Sequence, residues 1–362
     1  MKIAFLLPDL RGGGAERVCL DLAYEFAKCG HRVELLVMQS KGELLEEARD
    51  HFDVTNLNCS RVRDLLIALP RHLKSTRPDA ILAAMWPLTV IAAIVGIMPG
   101  SRCKVIISEH GILSAQYAAW GPAHRFILRS SMALGYRISY KRVAVSDGVA
   151  KDLAALSGMP LSSFDVIHNP VSSRPLPSND EIRQANALWA TPPGARILNI
   201  GSFKPVKNHA LLLHAFARVK NPNARLMLVG TGQGEARLRA LSASLGISGR
   251  VIFTGFHPNP TVYYMTSDLF ALSSNYEGFG NVIVEAMACG TPIVATDCPS
   301  GPAEILEDGR YGRLVPVNDQ VALAAAIHAT LGEAIDREPL KRRAAAFSPA
   351  IAAKKYLKLL GL

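Results

Sequence analysis

The chain has 362 residues, 49% of them apolar and 19% charged, with a formal net charge of +10. That length is about twice a common domain, and the composition supports two buried cores and excludes a largely disordered protein. The basic excess is local: residues 51–150 carry 12 Lys/Arg against 5 Asp/Glu and the last 26 carry 7 against 1, whereas the first 50 carry 7 against 9. Such patches suit anionic lipid, diphosphate or nucleic acid, and solvated helix faces explain any single cluster equally well. Met1 is followed at once by a short apolar strand, Ile3 to Leu7, so no secretory leader is expected. Six cysteines show no paired short spacing of a zinc or redox site and read as reduced thiols of a cytosolic protein.

"KIAFLL" is the first predicted strand, and "LRGGGAERV" turns it into a helix from about Gly14 to Lys28 with Val18, Leu22 and Phe26 on one face. A dinucleotide site would want G-x-G-x-x-G and an acid at the end of the second strand. Here Gly12, Gly13 and Gly14 are consecutive and that strand ends near Gln39, which disfavours a redox cofactor and leaves a tight turn or an anion site. "RVELLVM", "AILAAM", "KVIISE" and "RVAVS" are further strands, and their alternation with helices predicts a parallel sheet. Ala80 to Pro99 is apolar and close to the ~20 residues of a membrane span, but Pro87, Gly96 and Pro99 divide it into a strand and a helix from about Leu88. Residues 61–77 form a basic amphipathic stretch with a kink expected at Pro70, and Arg125, Arg129, Arg137, Lys141 and Arg142 add charge to the same half.

A polar, proline-rich segment at 169–180 is the expected linker, after which the pattern restarts with strands "RILNIG", "RLMLVG", "RVIFTG", "LFALSS" and "PIVAT". Helices are expected after Lys207, Glu235, Asn281 and Gly301. Two Rossmann-like domains follow, 1–170 and 171–345, with residues 346–362 returning as a helix onto the first. In such sheets ligands bind at the carboxyl ends of the strands. "GSFKPVKNH" places Lys204 and Lys207 at one such end, for a bound diphosphate or as ordinary helix-start charges. "LVGTGQGEARL" places Gly230, Gly232 and Gly234 at another, a weak signal that a plain turn also explains. "NYEGFGNVIVEAMACGTPIVA" is the most specific stretch: Gly278 and Gly280 bend the chain, Asn281 is read as the cap of the next helix, and Glu277 and Glu285 flank the bend. Two acids beside free helix amides suit a phosphorylated sugar.

The last stretch, extended to "SSNYEGFGNVIVEAMACGTPIVAT", resembles the E-x7-E signature of retaining GT-B glycosyltransferases, specifically glycosyltransferase family four. "GGAERV", "SEHG", "IHNPV", "KN" at 207, "LVGTGQGEARL" and "VIFTGF" carry the likeness through nearly the whole chain. The resemblance implies an α/β GT-B fold with two Rossmann-like domains facing each other across a cleft. It implies that Glu285 holds the ribose of a nucleotide-sugar donor and that Glu277 lies beside the transferred sugar. Phe279, Gly280, Asn281 and Val282 would cradle sugar and diphosphate, and Lys207 would meet phosphate. Gly13 and Gly14 would underlie the donor phosphates, Gly232 would belong to the donor site, and His110 would face the reacting sugar as a positioning group. Where the family carries an arginine after Gly201, this chain has Ser202.

The resemblance further implies transfer of a hexose or acetamido-hexose, from a UDP-sugar by preference, to a lipid-linked or surface polysaccharide acceptor carried on polyprenyl diphosphate. No cofactor and no metal are expected: departure of the diphosphate can be stabilised by helix amides and lysine, and the chain has no Asp-x-Asp. The basic first domain fits peripheral attachment to the inner face of the cytoplasmic membrane. Nucleic acid is not an expected partner, since the patches lack interleaved aromatics. The rivals are a GT-B nucleotide-sugar epimerase, which would generally lack the two acids, and a non-catalytic nucleotide-sugar-binding protein, which only Ser202 favours.

Overall fold

The computed structural model describes residues 1–362 apart from Arg102, Ser173 and 190–193, so Ser173 of the expected linker lies outside the described residues. The chain divides into two compact units, Met1–Ser172 with Ser348–Leu362, and Ser173–Phe347. Each is built on a parallel sheet whose strands are separated by helices.

In the first unit the strands are β1 Lys2–Leu7, β2 Arg32–Val37, β3 Asp53–Asn56, β4 Ala80–Ala84, β5 Lys104–Glu109, β6 Lys141–Ala144 and β7 Asp165–Val166. Their order is β3-β2-β1-β4-β5-β6-β7, so the direction of winding reverses between β1 and β4. Open parallel sheets bind ligands at the carboxyl ends of the strands that flank such a switch point. Phe5 of β1 packs on Phe26 of the helix Gly14–Lys28, and the same core takes in Ala352, Tyr356 and Leu360. The terminal helix Pro349–Leu360 is therefore part of this unit, and Lys104 Nζ donates to its Leu360 carbonyl at 2.7 Å.

In the second unit the strands are β8 Arg196–Ile200, β9 Arg225–Val229, β10 Val251–Gly255, β11 Leu269–Leu272, β12 Ile293–Thr296 and β13 Arg313–Val315. The order β10-β9-β8-β11-β12-β13 puts the switch point between β8 and β11. Leu198 of β8 and Phe270 of β11 face each other in register and are wholly buried. Ile197, Leu212, Phe216, Leu226 and Leu228 form the core on one side of this sheet.

Several elements differ from the sequence expectation. The short edge strands β3, β7 and β13 read "DVTN", "DV" and "RLV", too short and too polar to announce themselves. The linker is shorter than expected, because a helix Asn179–Leu188 starts inside it, with Ser178 and Glu181 forming a reciprocal capping box. The basic stretch 61–77 holds the helix Leu65–Thr76, which runs through Pro70 and turns Leu65, Leu69 and Leu73 into its own unit. Its apolar stripe thus serves the protein core. Ala80–Pro99 resolves into β4 and the helix Leu88–Gly96, and among the described residues no helix is long and apolar enough to cross a membrane. All six cysteines are free thiols, with Cys19, Cys59 and Cys298 buried.

Candidate active site

In the second unit the residues singled out by sequence lie at the switch point. β8 ends at Ile200, and after a short 3-10 turn Pro205–Lys207 the lysine reaches toward the loop that follows β11. Lys207 Nζ contacts both carboxylate oxygens of Glu277, at 2.6 and 2.8 Å. Ser274 Oγ donates to Glu277 Oε1 at 2.6 Å. Glu277 is 8% exposed, so this acid enters the protein with its charge matched and its lone pairs engaged.

The loop is fixed from both sides. Asn275 N donates to the Val206 carbonyl at 2.8 Å, and Ser273 Oγ to that of Lys207 at 2.9 Å. Asn208 Nδ2 bridges the side-chain oxygens of Asn275 and Asn318. Glu277 N donates to the Pro299 carbonyl, and Ser300 Oγ to that of Gly278. Gly301 approaches Phe279 so closely that a β-carbon there would stand 1.7 Å from the Phe279 carbonyl oxygen. Phe279 itself is buried, with its ring 5.4 Å from that of Phe347.

Gly280, at φ 104°, turns this loop into the helix Asn281–Ala288. The left-handed backbone there is one that a side chain resists. Gly280, not Asn281, is the capping residue, and no side chain caps the helix start. The sequence reading of Asn281 as the cap is therefore corrected: it is the first helical residue, followed by half-buried Val282. Glu285, one turn further on, accepts a hydrogen bond from Tyr264 OH at 2.9 Å. The two acids are thus held by different partners.

The glycine loop after β9 lies against the segment after β8. Phe203 N donates to the Thr231 carbonyl at 2.9 Å and Gly234 N to that of Phe203 at 3.2 Å, which brings Gly232 alongside Phe203. Ser202 is half-buried on this segment and Lys204 is exposed.

In the first unit, Gly13 caps the helix Gly14–Lys28 without a side-chain hydrogen bond. The carboxylate of Glu16 lies over it, so near that a β-carbon on Gly13 would be 2.4 Å from Oε2. His110 follows β5, and its Nε2 is 3.1 Å from Ser108 Oγ, which in turn is 2.9 Å from Tyr356 OH of the terminal helix. Although its edge remains accessible, protein surrounds the imidazole and burial pushes its pKa down to about 4, against a smaller opposite effect of Asn169. At neutral pH it is an uncharged hydrogen-bonding group. Next to it, Glu109 is wholly buried, and burial raises its pKa to about 6 despite hydrogen bonds from Tyr136 OH, Thr89 Oγ1 and Trp86 N.

Sequence reasoning missed the partners that orient these groups. Ser274, Ser108, Glu109 and Asn169 stand inside quoted motifs, where adjacency was the available signal. Tyr264 and Tyr356 come from distant apolar helices and carried none. Among the described residues, no three His, Cys, Asp or Glu side chains cluster as a metal site would require.

Two family models match this chain, one for each unit: Glycosyltransferase Family 4 over residues 12–174 and Glycosyl transferases group 1 over 180–347. The chain belongs to glycosyltransferase family four. This family four glycosyltransferase is 27% identical over 99% of its length, and 99% of the relative's, to a Campylobacter jejuni enzyme. That relative is N-acetylgalactosamine-N,N'-diacetylbacillosaminyl-diphospho-undecaprenol 4-alpha-N-acetylgalactosaminyltransferase. This chain is also 24% identical, over 86% of its own length and 85% of the relative's, to the amylovoran biosynthesis glycosyltransferase AmsD of Erwinia amylovora. Among solved structures, Anabaena HepE in complex with UDP and glucose matches with a TM-score of 0.83 at 25% identity, over 100% of this chain and 99% of that one. The architecture of two Rossmann-like domains is that of the GT-B enzymes.

Proposed function

We propose that this glycosyltransferase moves a hexose or acetamido-hexose from a UDP-sugar, with retention and without a metal, to a glycan acceptor on polyprenyl diphosphate. The observation that carries this reading is the fixed loop Ser273–Gly280, where Lys207, Glu277 and an uncapped helix start meet at the switch point of the second sheet. Lys207 and the helix amides stabilise charge that develops on the departing diphosphate. Glu277 lies beside the transferred sugar and Glu285 holds the ribose, with Phe279, Gly280, Asn281 and Val282 lining the donor site. His110, neutral at pH 7, hydrogen-bonds the sugar and does not act as a base. The substrates of the Campylobacter relative and the UDP bound to HepE support this choice of acceptor and donor. In this reading Lys207 has two duties, since a bound diphosphate would share with Glu277 the lysine that now contacts both its oxygens.

The test is a thermal-shift screen against uridine, guanosine and adenosine diphosphates and their sugar conjugates, with and without a chelator. A chelator-insensitive rise in Tm with UDP or a UDP-sugar is the expected result. A rise with another base alone, or one abolished by chelator, overturns the donor or the metal-free part of the reading.

The acceptor part includes a membrane surface met by the basic first unit, on the cytoplasmic face. The helix Pro122–Ile138 there exposes Phe126, Ile127 and Leu134 beside exposed Arg125, Arg129 and Arg137. Apolar side chains among cations suit an anionic bilayer interface. Flotation with anionic liposomes that is lost at high salt is expected, and absence of flotation at low salt removes this part.

A further inference from the structure

We propose that Tyr264 is a positioning residue for donor binding: its hydroxyl presets the carboxylate of Glu285 in the orientation that receives the ribose. This rests on the assignment of Glu285 to the ribose.

Tyr264 sits on the short helix Thr261–Met265, 21 positions before Glu285 in the chain, and is 1% exposed. Its ring lies 5.6 Å from that of Phe270 on β11. Its own carbonyl accepts from Ser267 Oγ and Thr291 Oγ1, both at 2.9 Å. The ring is therefore anchored independently of the acid. A buried phenol needs an acceptor, and the one it meets is Glu285 Oε2 at 2.9 Å. Burial and that neighbouring acid hold the phenol well above its ordinary pKa, so it is a donor at every working pH.

Glu285 is only half-buried. A glutamate has three rotatable bonds, and any rotamer freedom left to it must be given up when a sugar hydroxyl binds. A rigid donor on one oxygen lowers that cost beforehand by holding the carboxylate in place. Tyr264 touches no substrate in this scheme and acts through the acid alone.

The experiment measures Kd by calorimetry for UDP and for 2′-deoxy-UDP in the wild type, Tyr264→Phe, Glu285→Ala and the double variant. Tyr264→Phe is expected to weaken UDP about tenfold, with kcat at saturating donor unchanged. The same change is expected to cost less than about twofold in the Glu285→Ala background, because positioning needs the acid it positions. The penalty should also shrink toward 2′-deoxy-UDP, a discrimination that general loosening of the unit does not produce. If Glu285→Ala weakens UDP while Tyr264→Phe binds as the wild type does, Tyr264 only packs and the inference falls while the ribose assignment stands. If Glu285→Ala leaves UDP affinity unchanged, the ribose assignment falls and the inference with it. Should Tyr264→Phe not yield folded protein, Glu285→Asp serves in its place. Its shorter arm cannot hold the tyrosine and the ribose together, so it should lose as much affinity as Glu285→Ala, and wild-type affinity overturns the proposal.

Discussion

Lys207 and Glu277 in the second unit form a close ion pair at the carboxyl ends of β8 and β11, whereas buried Glu109 and half-buried His110 at the end of β5 in the first unit have no ion-pair partner among the described residues. The sheets are alike, yet their strand ends offer different chemistry. A paired lysine and acid suit a ligand whose charge changes during reaction. A desolvated imidazole in its neutral form suits a hydroxyl that must be held without being ionised. The scaffold fixes where a ligand binds, and the local balance of burial and pairing fixes what kind it is.

The most damaging way to break the comparison is to remove its charged member. Glu277→Ala should lower kcat by about 10²–10³, some 3–4 kcal/mol, with a smaller change in UDP affinity, as read by steady-state kinetics. Lys207→Ala takes the lysine from the buried Glu277 carboxylate and leaves it the Ser274 hydroxyl. A loss of about 2 kcal/mol is expected in denaturant titration, discounted because the lysine is partly exposed, together with weaker UDP binding.

Acid sharpens the comparison from the other side. His110 in the first unit and His209 in the second are both pushed down to about 4 by burial. Between about pH 6.5 and 4 the unfolded chain takes up protons that these folded sites refuse, so stability is full above that window and falls as pH falls through it. Each histidine should cost about 2 kcal/mol at pH 5 relative to pH 7. Glu109 has the opposite sign: raised to about 6 from an ordinary 4.5, its contribution is present below 4.5 and lost as pH rises through 6. The first unit is thereby partly compensated near pH 5. Denaturant titrations of His110→Asn and His209→Asn at both pH values should show less acid sensitivity than the wild type. The smallest effect is a gain: Ser202→Arg, which adds a cation to the segment after β8, should tighten UDP by about threefold in calorimetry.

The parallel sheets were legible because β1, β2, β4, β5, β8, β9 and β11 are buried runs of branched and aliphatic residues bounded by glycine and polar turns. β3, β7 and β13 were not, since edge strands are specified by a neighbour's free hydrogen bonds more than by their own apolar content. Lys207, Glu277 and Glu285 were legible as residues at strand ends. Their pairing was not: nothing in sequence spacing says that Lys207 meets Glu277 or that Tyr264 meets Glu285, because loop closure and helix docking decide those contacts. Glu16 over Gly13 was written in "GGAERV", but only the backbone path shows the acid folding back on the glycine.

The terminal helix Pro349–Leu360 has a consequence for how the protein is made. The first unit precedes the second in the chain, yet its core lacks Ala352, Tyr356 and Leu360 until the whole second unit has been translated. Every residue of the second unit precedes Ser348. During synthesis, where domains fold as their chains emerge, the order of completion therefore reverses the order of sequence. Ser108, the neighbour of His110, waits for a tyrosine that leaves the ribosome only after the whole second unit. A stop codon directly after Phe347 would spare all of the second unit and leave the first without this helix.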